Sequence, residues 1–121
     1  MKPYEFEQLV CDHYRQKGYR VQTTSASNDY GIDVFAEKKG EKIAVQVKMY
    51  GGSTRKVNRQ TMMELYGAAA YFDCTKAVLA TDGEVLTDAK EVAHKLGIDI
   101  LFIQPDRKIS MPSASSAEWS L

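Results

Sequence analysis

The sequence predicts an α/β protein in which helices flank a mixed central sheet, with the element order α-β-β-β-α-β-α-β. Three features of the 121-residue chain predict this class: apolar residues at helical spacing, short apolar runs typical of strands, and glycine-containing breaks between them. A chain of this length buries about two-thirds of its unfolded surface, which is enough for one domain with its own core.

The N-terminal segment predicts a helix from Pro3 to Lys17. Proline suits the first turn of a helix, and Gly18 suits the position after the last turn. The segment also carries one apolar stripe at helical spacing, made of Phe6, Leu9, Val10 and Tyr14.

The remaining elements are predicted in chain order. A short strand over residues 19–24 precedes a turn-rich loop, and two strands follow at Ile32–Ala36 and Ile43–Lys48. A second helix is predicted over Thr54–Phe72, with Met62, Met63 and Leu65 in the core. A strand over residues 76–81 follows it. The last two predicted elements are a helix capped by Thr87 and ended by Gly97, and a strand over residues 98–103. We predict one domain over residues 1–105 and a Ser-rich tail over residues 106–121.

Composition limits the functional classes. Sixteen basic residues balance sixteen acidic ones, so any argument for nucleic-acid binding rests on local clusters. The N-terminus lacks the apolar core of a signal peptide, and no apolar run approaches the roughly 18 residues of a membrane span. Cys11 and Cys74 are too few for a disulfide framework, which favours free thiols in a reducing compartment. We therefore predict a cytoplasmic protein without membrane contact.

The stretch GIDVFAEKKGEKIAVQVK, Gly31 to Lys48, predicts a hairpin that turns at Lys39-Gly40, because glycine readily takes the positive φ of a two-residue turn. Pairing outward from the turn sets Val34 beside Val45 and Asp33 beside Gln46. One predicted face is apolar and carries Ile32, Val34, Ala36, Ile43, Val45 and Val47. The polar residues of the other face gather away from the turn, among Asp33, Phe35, Ala44, Gln46 and Lys48.

A carboxylate, an amide and an ammonium group near the middle of a sheet are costly to bury unless they are paired. One interpretation is an Asp33–Lys48 ion pair on a solvated face. The other is a Mg²⁺ site, because Mg²⁺ binds oxygen ligands and usually takes only one or two carboxylates from a protein. Asp33 then supplies the charge, while Gln46 and the Val47 backbone supply carbonyl oxygens. Lys48 can steady an attacking water or the charge developing on a phosphate.

Glu7 is the acidic residue of the first helix that is predicted to face the sheet. At about 100° per residue it lies between Tyr14 and Cys11 around the helix axis, on the shoulder of the apolar stripe. Glu5 and Asp12 fall on the polar side. The alternative is that Glu7 is a partly exposed carboxylate at the rim of the helix.

A helical Glu, GIDV and QVK in this order resemble the PD-(D/E)xK nuclease superfamily, and most closely its Mrr-like restriction endonuclease family, in which Gln commonly replaces the acidic residue before x-Lys. The similarity runs from YEFEQLVCDHYRQKGYRV through GIDVFAEKKGEKIAVQVK and QTMMELYGAAAYFDCTKAVLATDG to AKEVAHKLGIDIL. The resemblance implies a restriction-endonuclease-like catalytic domain over residues 1–105. It also implies metal-dependent cleavage of the DNA backbone, with Mg²⁺ as the cofactor and Mn²⁺ as an alternative.

The resemblance also implies roles for individual residues. Asp33 would bind the metal ion, and Lys48 would be the active-site lysine. Gln46 stands at the substituted acidic position, Val47 would contribute its carbonyl, and Glu7 would approach the metal directly or through water. Because Gln46 removes one negative charge from the site, Glu7 gains importance as the second carboxylate.

A basic segment after Lys48 predicts where DNA would bind. Arg55, Lys56 and Arg59 lie near the predicted start of the second helix, where backbone N–H groups favour phosphate. Tyr50 can stack on a base, and Asn28, in the loop before the hairpin, can border the cleft. The alternative is an ordinary solvated helix start.

The sequence leaves two other functions open. A Holliday junction resolvase shares the fold and usually works as a dimer on branched DNA, and a DNA-binding or assembly module would have lost activity at Gln46. Double-strand cleavage normally requires two active sites, which favours a homodimer. The chain is too short for a separate recognition domain, so any sequence preference would come from loops, a recognition partner or a larger parent polypeptide.

Overall fold

The computed structural model describes residues 1–24 and 30–104. Its elements in chain order are α1 (Pro3–Gln16), β1 (Arg20–Thr23), β2 (Val34–Lys38), β3 (Glu41–Lys48), α2 (Arg59–Tyr71), β4 (Lys76–Thr81), α3 (Thr87–Leu96) and β5 (Asp99–Phe102). This order confirms the predicted α-β-β-β-α-β-α-β arrangement. The predicted Ser-rich tail lies outside the described residues.

The strands form a single mixed sheet in the spatial order β1-β2-β3-β4-β5. The first three strands pair antiparallel, and β3, β4 and β5 pair parallel. Parallel neighbours need crossover connections, which α2 and α3 supply. The predicted mixed sheet flanked by helices is therefore confirmed.

Each face of the sheet packs against its own helices. The α1 face buries Phe6, Val10, Cys11 and Tyr14 against sheet residues that include Val34, Val45, Val78 and Leu101. The other face buries residues of α2 and α3 against a set that includes Ile32, Ala44, Leu79 and Ile100. In the described ranges no helix is long and apolar enough to cross a membrane. Cys11 is buried, Cys74 is partly buried, and both are free thiols.

The hairpin has the predicted turn and register. Lys39 and Gly40 have φ values of 49° and 83°, as a two-residue turn with two left-handed residues requires. Val34 pairs with Val45, and the pairing continues through Ala36 with Ile43 to Lys38 with Glu41. The register was predictable because a slip by one residue would turn the valines away from the core.

Ile32 lies on the opposite face from the one predicted. It packs in the α2/α3 core, whereas Val34 packs under α1. Strand β2 begins at Val34, because Tyr30 and Gly31, with φ values of 51° and 86°, turn the chain just before it. The Ile32 carbonyl accepts a hydrogen bond of 2.8 Å from the Thr24 hydroxyl. Alternation holds only within a regular strand, and Ile32 precedes it.

Helix boundaries differ from the predictions where tertiary contacts intervene. Helix α2 begins at Arg59 and not at Thr54 as predicted. Val57 cannot join the helix because it forms a β-bridge with Val85. The Asn58 side chain then caps the helix by accepting a hydrogen bond from the Thr61 N–H at 3.0 Å. α1 ends one residue earlier than predicted, at Gln16.

Two further details of the helices concern single residues. Thr87 is the first residue of α3 and not its cap, which is Leu86, whereas Gly97 ends the helix as predicted in the left-handed conformation. Met62 and Leu65 are buried as predicted, but Met63 points outward and is 53% exposed.

Candidate active site

Asp33 lies at the open end of the β2–β3 hairpin, opposite the turn. Its backbone N–H donates to the Val45 carbonyl at 2.8 Å, and its carboxylate accepts from the Val47 N–H at 2.7 Å. Regular pairing stops at Val34 and Val45, so the predicted pair of Asp33 with Gln46 is not part of the ladder. The Asp33 carboxylate instead takes the place of a backbone acceptor beside β3.

Val47 faces Asp33 with its backbone. The N–H and C=O groups of one strand residue point to the same side, so the Val47 carbonyl is directed to the edge at which its N–H meets the Asp33 carboxylate. The carbonyl oxygen predicted as a metal ligand therefore lies along the same strand edge as the aspartate.

Gln46 is a buried polar residue with an unmet hydrogen bond. Its side chain is packed so that only 6% of the residue is exposed, and its Oε1 has no donor among the described residues. A Cβ placed on Gly31 would lie 3.0 Å from the Gln46 Nε2, so glycine is needed for the close approach of this loop. A buried amide oxygen without a donor costs free energy, which a positively charged ligand would recover.

The charge of Asp33 disfavours the ionisation of Glu7, and burial disfavours the ionisation of both carboxyl groups. Burial raises the pKa of Glu7, and the negative charge of Asp33 raises it further. Burial also raises the pKa of Asp33, while the Val47 N–H and the Lys48 charge act in the opposite direction. Two partly dehydrated carboxylates in one region favour the binding of a cation between them.

Lys48 acts on Asp33 through its charge without forming an ion pair. No salt bridge joins the two side chains in residues 1–24 and 30–104, so the simple ion-pair interpretation is not what the structure shows. The Lys48 Nζ instead lies 5.9 Å from the centre of the Tyr50 ring. Its ammonium group is thus close to the aspartate but is not neutralised by it.

The predicted residues approach one region from two sides of the sheet. Gln46 and Lys48 leave β3 on the side of Ala44, which faces α2 and α3, whereas Glu7 comes from α1 on the other side. Asp33 stands where β2 and β3 separate, and its charge interacts with both Glu7 and Lys48. The structure therefore has Glu7 on the α1 side of the sheet and Gln46 and Lys48 on the α2/α3 side, with Asp33 where the two strands separate.

These residues fit a magnesium or manganese ion. The available donors are two carboxylates, one amide oxygen without a partner, and one backbone carbonyl, all of them the hard oxygen ligands that Mg²⁺ prefers. No group of three or more His, Cys, Asp or Glu residues occurs within the described part of the chain.

A known family has the same sequence pattern over nearly the whole chain. The restriction endonuclease family Mrr_cat matches residues 1–108. The chain belongs to this family. The Mrr-like resemblance stated from the sequence is confirmed, and the Mrr_cat domain places the chain in the nuclease superfamily of restriction-endonuclease-like fold.

Two curated proteins are similar to the Mrr_cat domain in sequence. The uncharacterized protein y4cE of Sinorhizobium fredii is 34% identical over 72% of this chain and 25% of that protein. The UPF0102 protein of Aquifex aeolicus is 39% identical over 40% of this chain and 48% of that protein. The chain therefore spans less than half the length of either relative.

Two crystal structures resemble the Mrr_cat domain in fold. The protein of unknown function AF1548 aligns with a TM-score of 0.64 at 20% identity, over 78% of this chain and 56% of its own. A XisH family protein from Nostoc punctiforme aligns with a TM-score of 0.52 at 19% identity, over 88% of this chain and 96% of its own. At these identities the similarity shows the fold alone.

The predicted DNA-binding residues are distributed differently from the expectation. Arg55 and Lys56 precede α2, and only Arg59 belongs to its first turn. Lys56 pairs with Glu84 at 3.6 Å and Arg59 pairs with Asp88 at 3.2 Å. Arg55 lies over the Tyr50 ring, with its guanidinium carbon 4.4 Å from the ring centre. Asn28 lies outside the described residues.

The loop that follows β4 packs against the chain around Lys48 and Gly51, a contact that was not predicted from the sequence. Thr81 is fully buried and its hydroxyl donates to the Lys48 carbonyl at 2.7 Å. The Gly51 N–H donates to the Asp82 carboxylate at 2.7 Å. The motif ATDG directly after a buried strand was the available signal, because the carboxyl ends of neighbouring parallel strands meet at one edge of a sheet.

Proposed function

We propose that this Mrr_cat domain is a metal-dependent endodeoxyribonuclease that hydrolyses phosphodiester bonds in DNA, with a role in restriction or DNA processing. The observation that carries the proposal is the open end of the β2–β3 hairpin. There the Asp33 carboxylate accepts from the Val47 N–H, the buried Gln46 amide oxygen has no donor among the described residues, and Lys48 forms no ion pair within them. Membership of a restriction endonuclease family supports phosphodiester hydrolysis as the reaction.

The cofactor in this proposal is Mg²⁺, with Mn²⁺ as an alternative. Asp33 and Glu7 would hold the ion with their carboxylates, and Gln46 and Val47 would hold it with carbonyl oxygens. When bound, such an ion lowers the pKa of a water toward neutrality and stabilises charge on phosphoryl oxygens.

The protein's own residues would do three things in the reaction. The Val47 N–H fixes one oxygen of Asp33, so that the carboxylate is oriented before a ligand arrives. The Lys48 ammonium group would neutralise charge on the scissile phosphate or orient the attacking water. Glu7 would supply the second negative charge that Gln46 cannot supply.

The decisive experiment is a cleavage assay. The protein is incubated with supercoiled, linear, methylated and four-way-junction DNA in Mg²⁺ or Mn²⁺, in parallel with the Lys48→Ala variant. We expect metal-dependent nicking or cutting by the wild type and cleavage about two to three orders of magnitude slower by the variant. Preferred cutting of the four-way junction would favour a resolvase, and binding without cutting under every condition would favour an inactive DNA-binding or assembly module.

A homodimer is part of the same proposal, because double-strand cleavage normally needs two active sites. Helix α2 supports it with an outward apolar stripe at helical spacing, made of Met63, Tyr66, Gly67 and Ala70. Sedimentation of the wild type and of Tyr66→Glu tests this arrangement. We expect a dimer that the charged variant converts to monomers, and a wild type that stays monomeric would contradict it.

A further inference from the structure

We propose that Arg55 is the DNA-phosphate contact beside the candidate active site and that Tyr50 is the residue that positions it. The identity of the ligand rests on the proposed function. The placement of the two side chains rests on contacts that the structure describes.

Arg55 and Lys48 share one aromatic ring. The Arg55 guanidinium carbon lies 4.4 Å from the centre of the Tyr50 ring, and the Lys48 Nζ lies 5.9 Å from it. The π-face of a tyrosine attracts cations, so the ring can hold two positive charges close together. A stacked guanidinium group keeps its N–H edge available, which suits two-point binding of a phosphate.

The other cations of this segment already have acidic partners. Lys56 pairs with Glu84 at 3.6 Å and Arg59 with Asp88 at 3.2 Å, so each pair is locally neutral. Arg55 forms no ion pair in the described ranges 1–24 and 30–104. The uncompensated positive charge after Lys48 is therefore that of Arg55.

Tyr50 is itself fixed by the loop after β4. A Cβ on Gly83 would lie 2.7 Å from the Tyr50 Cβ, and a Cβ on Gly51 would lie 2.6 Å from the Asp82 Oδ2. Glycine is needed at position 83, because the Tyr50 Cβ is attached to the backbone and cannot move aside, whereas the atom nearest to Gly51 is the end of the Asp82 side chain. The Gly83 N–H also donates to the Thr81 hydroxyl at 3.0 Å, and that hydroxyl binds the Lys48 carbonyl. The ring is thus part of a rigid support, and a cation stacked on it is positioned before DNA binds.

Binding of a fluorescent DNA duplex, measured by anisotropy, tests the role of Arg55. All variants carry Lys48→Ala and the buffer contains Mg²⁺, so that the DNA stays intact and only Arg55 remains on the ring. We expect Arg55→Ala to weaken binding about tenfold, as the loss of a charged hydrogen bond implies. The slope of log K against log salt should fall by about one, because one phosphate contact is lost.

Two other cations serve as controls for charge. Lys56→Ala should have a smaller effect than Arg55→Ala, because Lys56 already pairs with Glu84 and makes no phosphate contact in this proposal. Arg20→Ala removes a charge on edge strand β1, where Arg20 pairs with Glu37, and should leave binding unchanged. An equal loss in all three variants would show a nonspecific charge effect and overturn the assignment of Arg55.

Three tyrosine variants test the positioning role. Tyr50→Phe keeps the ring and should bind as tightly as its parent, whereas Tyr50→Leu should lose about as much as Arg55→Ala. In the Arg55→Ala background, Tyr50→Leu should cause no further loss, because it acts through Arg55. A full additional loss in that double variant would mean that Tyr50 has only a structural role.

The inference and the proposed function fail separately. If the wild type does not cut DNA but the Arg55 and Tyr50 effects appear, the nuclease proposal is wrong and the phosphate contact stands. If the wild type cuts DNA but Arg55→Ala binds with unchanged affinity and unchanged salt slope, the phosphate contact is wrong and the nuclease proposal stands.

Discussion

The two ends of the β2–β3 hairpin use polar residues in opposite ways. At the turn end, polar groups have partners: the Lys42 Nζ donates to the Phe72 carbonyl at 3.0 Å, and the Tyr19 hydroxyl donates to Glu41. At the open end, Gln46 has an oxygen without a donor, and burial raises the pKa of Asp33. The same two strands therefore pair their polar groups at one end and leave a buried amide oxygen without a donor at the other, where we propose that a metal ion binds. Such a local violation of hydrogen-bonding rules is typical of functional sites.

The largest expected contrast between the two ends is catalytic. Lys48→Ala should reduce DNA cleavage by about two to three orders of magnitude, by analogy with loss of one preorganised donor, with little change in melting temperature. The control is Lys39→Asn in the hairpin turn, which removes the same charge and introduces a residue that tolerates the positive φ of this position. This variant should cut DNA at the wild-type rate. Initial rates on supercoiled plasmid measure both. Plasmid nicking by Lys48→Ala at the wild-type rate would reject its catalytic role.

The second contrast is in metal binding. Asp33→Asn keeps an acceptor for the Val47 N–H but removes the charge, so it should abolish both cleavage and stabilisation by Mn²⁺. At a concentration about one hundred times Kd, a bound ion stabilises the wild type by about 2.7 kcal/mol. Thermal melts with and without Mn²⁺, supported by calorimetry, measure this gain. Equal gains in the two proteins would show that the ion binds elsewhere.

The third contrast compares two glycines with nearly the same backbone. Gly31 and Gly40 have φ values of 86° and 83°. A Cβ added at Gly31 would lie 3.0 Å from the Gln46 Nε2, whereas a Cβ added at Gly40 would have no neighbouring atom within 4 Å. Either alanine variant should lose about 1–2 kcal/mol of stability from the left-handed conformation. Gly31→Ala should lose roughly 1 kcal/mol more from overpacking. Urea unfolding measures both, and identical losses would remove the steric role of Gly31.

The smallest expected effect is in the pH dependence of stability without metal. The pKa values of Asp33 and Glu7 are raised above their ordinary values of 3.8 and 4.5. At pH values just above these ordinary pKa values, the folded state therefore binds more protons than the unfolded state. The free energy of unfolding should therefore fall as pH rises through that window. Urea titrations in EDTA should show a flatter dependence for the Glu7→Gln, Asp33→Asn double variant. Equal slopes in the two proteins would contradict the proposed crowding of carboxylates.

Much of the fold was predictable because its signals are local. The hairpin turn follows from Lys39-Gly40, and its register follows from the alternation of valines, which are interactions between residues close in the chain. Helix α1 and the end of α3 at Gly97 follow from apolar spacing and glycine. The sequence also singled out Glu7, Asp33, Gln46, Val47 and Lys48, and their roles remain predictions.

The errors in the predicted elements have two physical causes. No local pattern indicates that Val57 pairs with Val85, a contact that delays the start of α2. Nor does any local pattern indicate that Ile32, outside the regular strand, turns to the α2/α3 core. At Val57 a contact with another segment outweighed the local preference, and at Ile32 the turn at Tyr30 and Gly31 starts the strand later than predicted.

The order of the elements, the register of the hairpin and the residue types at its open end all follow from the amino-acid sequence, because periodicity and turn geometry act over a few residues. Which cations lack an acidic partner depends on the folded chain, since Glu84 and Asp88 approach Lys56 and Arg59 from beyond β4. The support of Tyr50 by the loop after β4 also depends on the folded chain, because such contacts require parallel strands that end at one edge of the sheet.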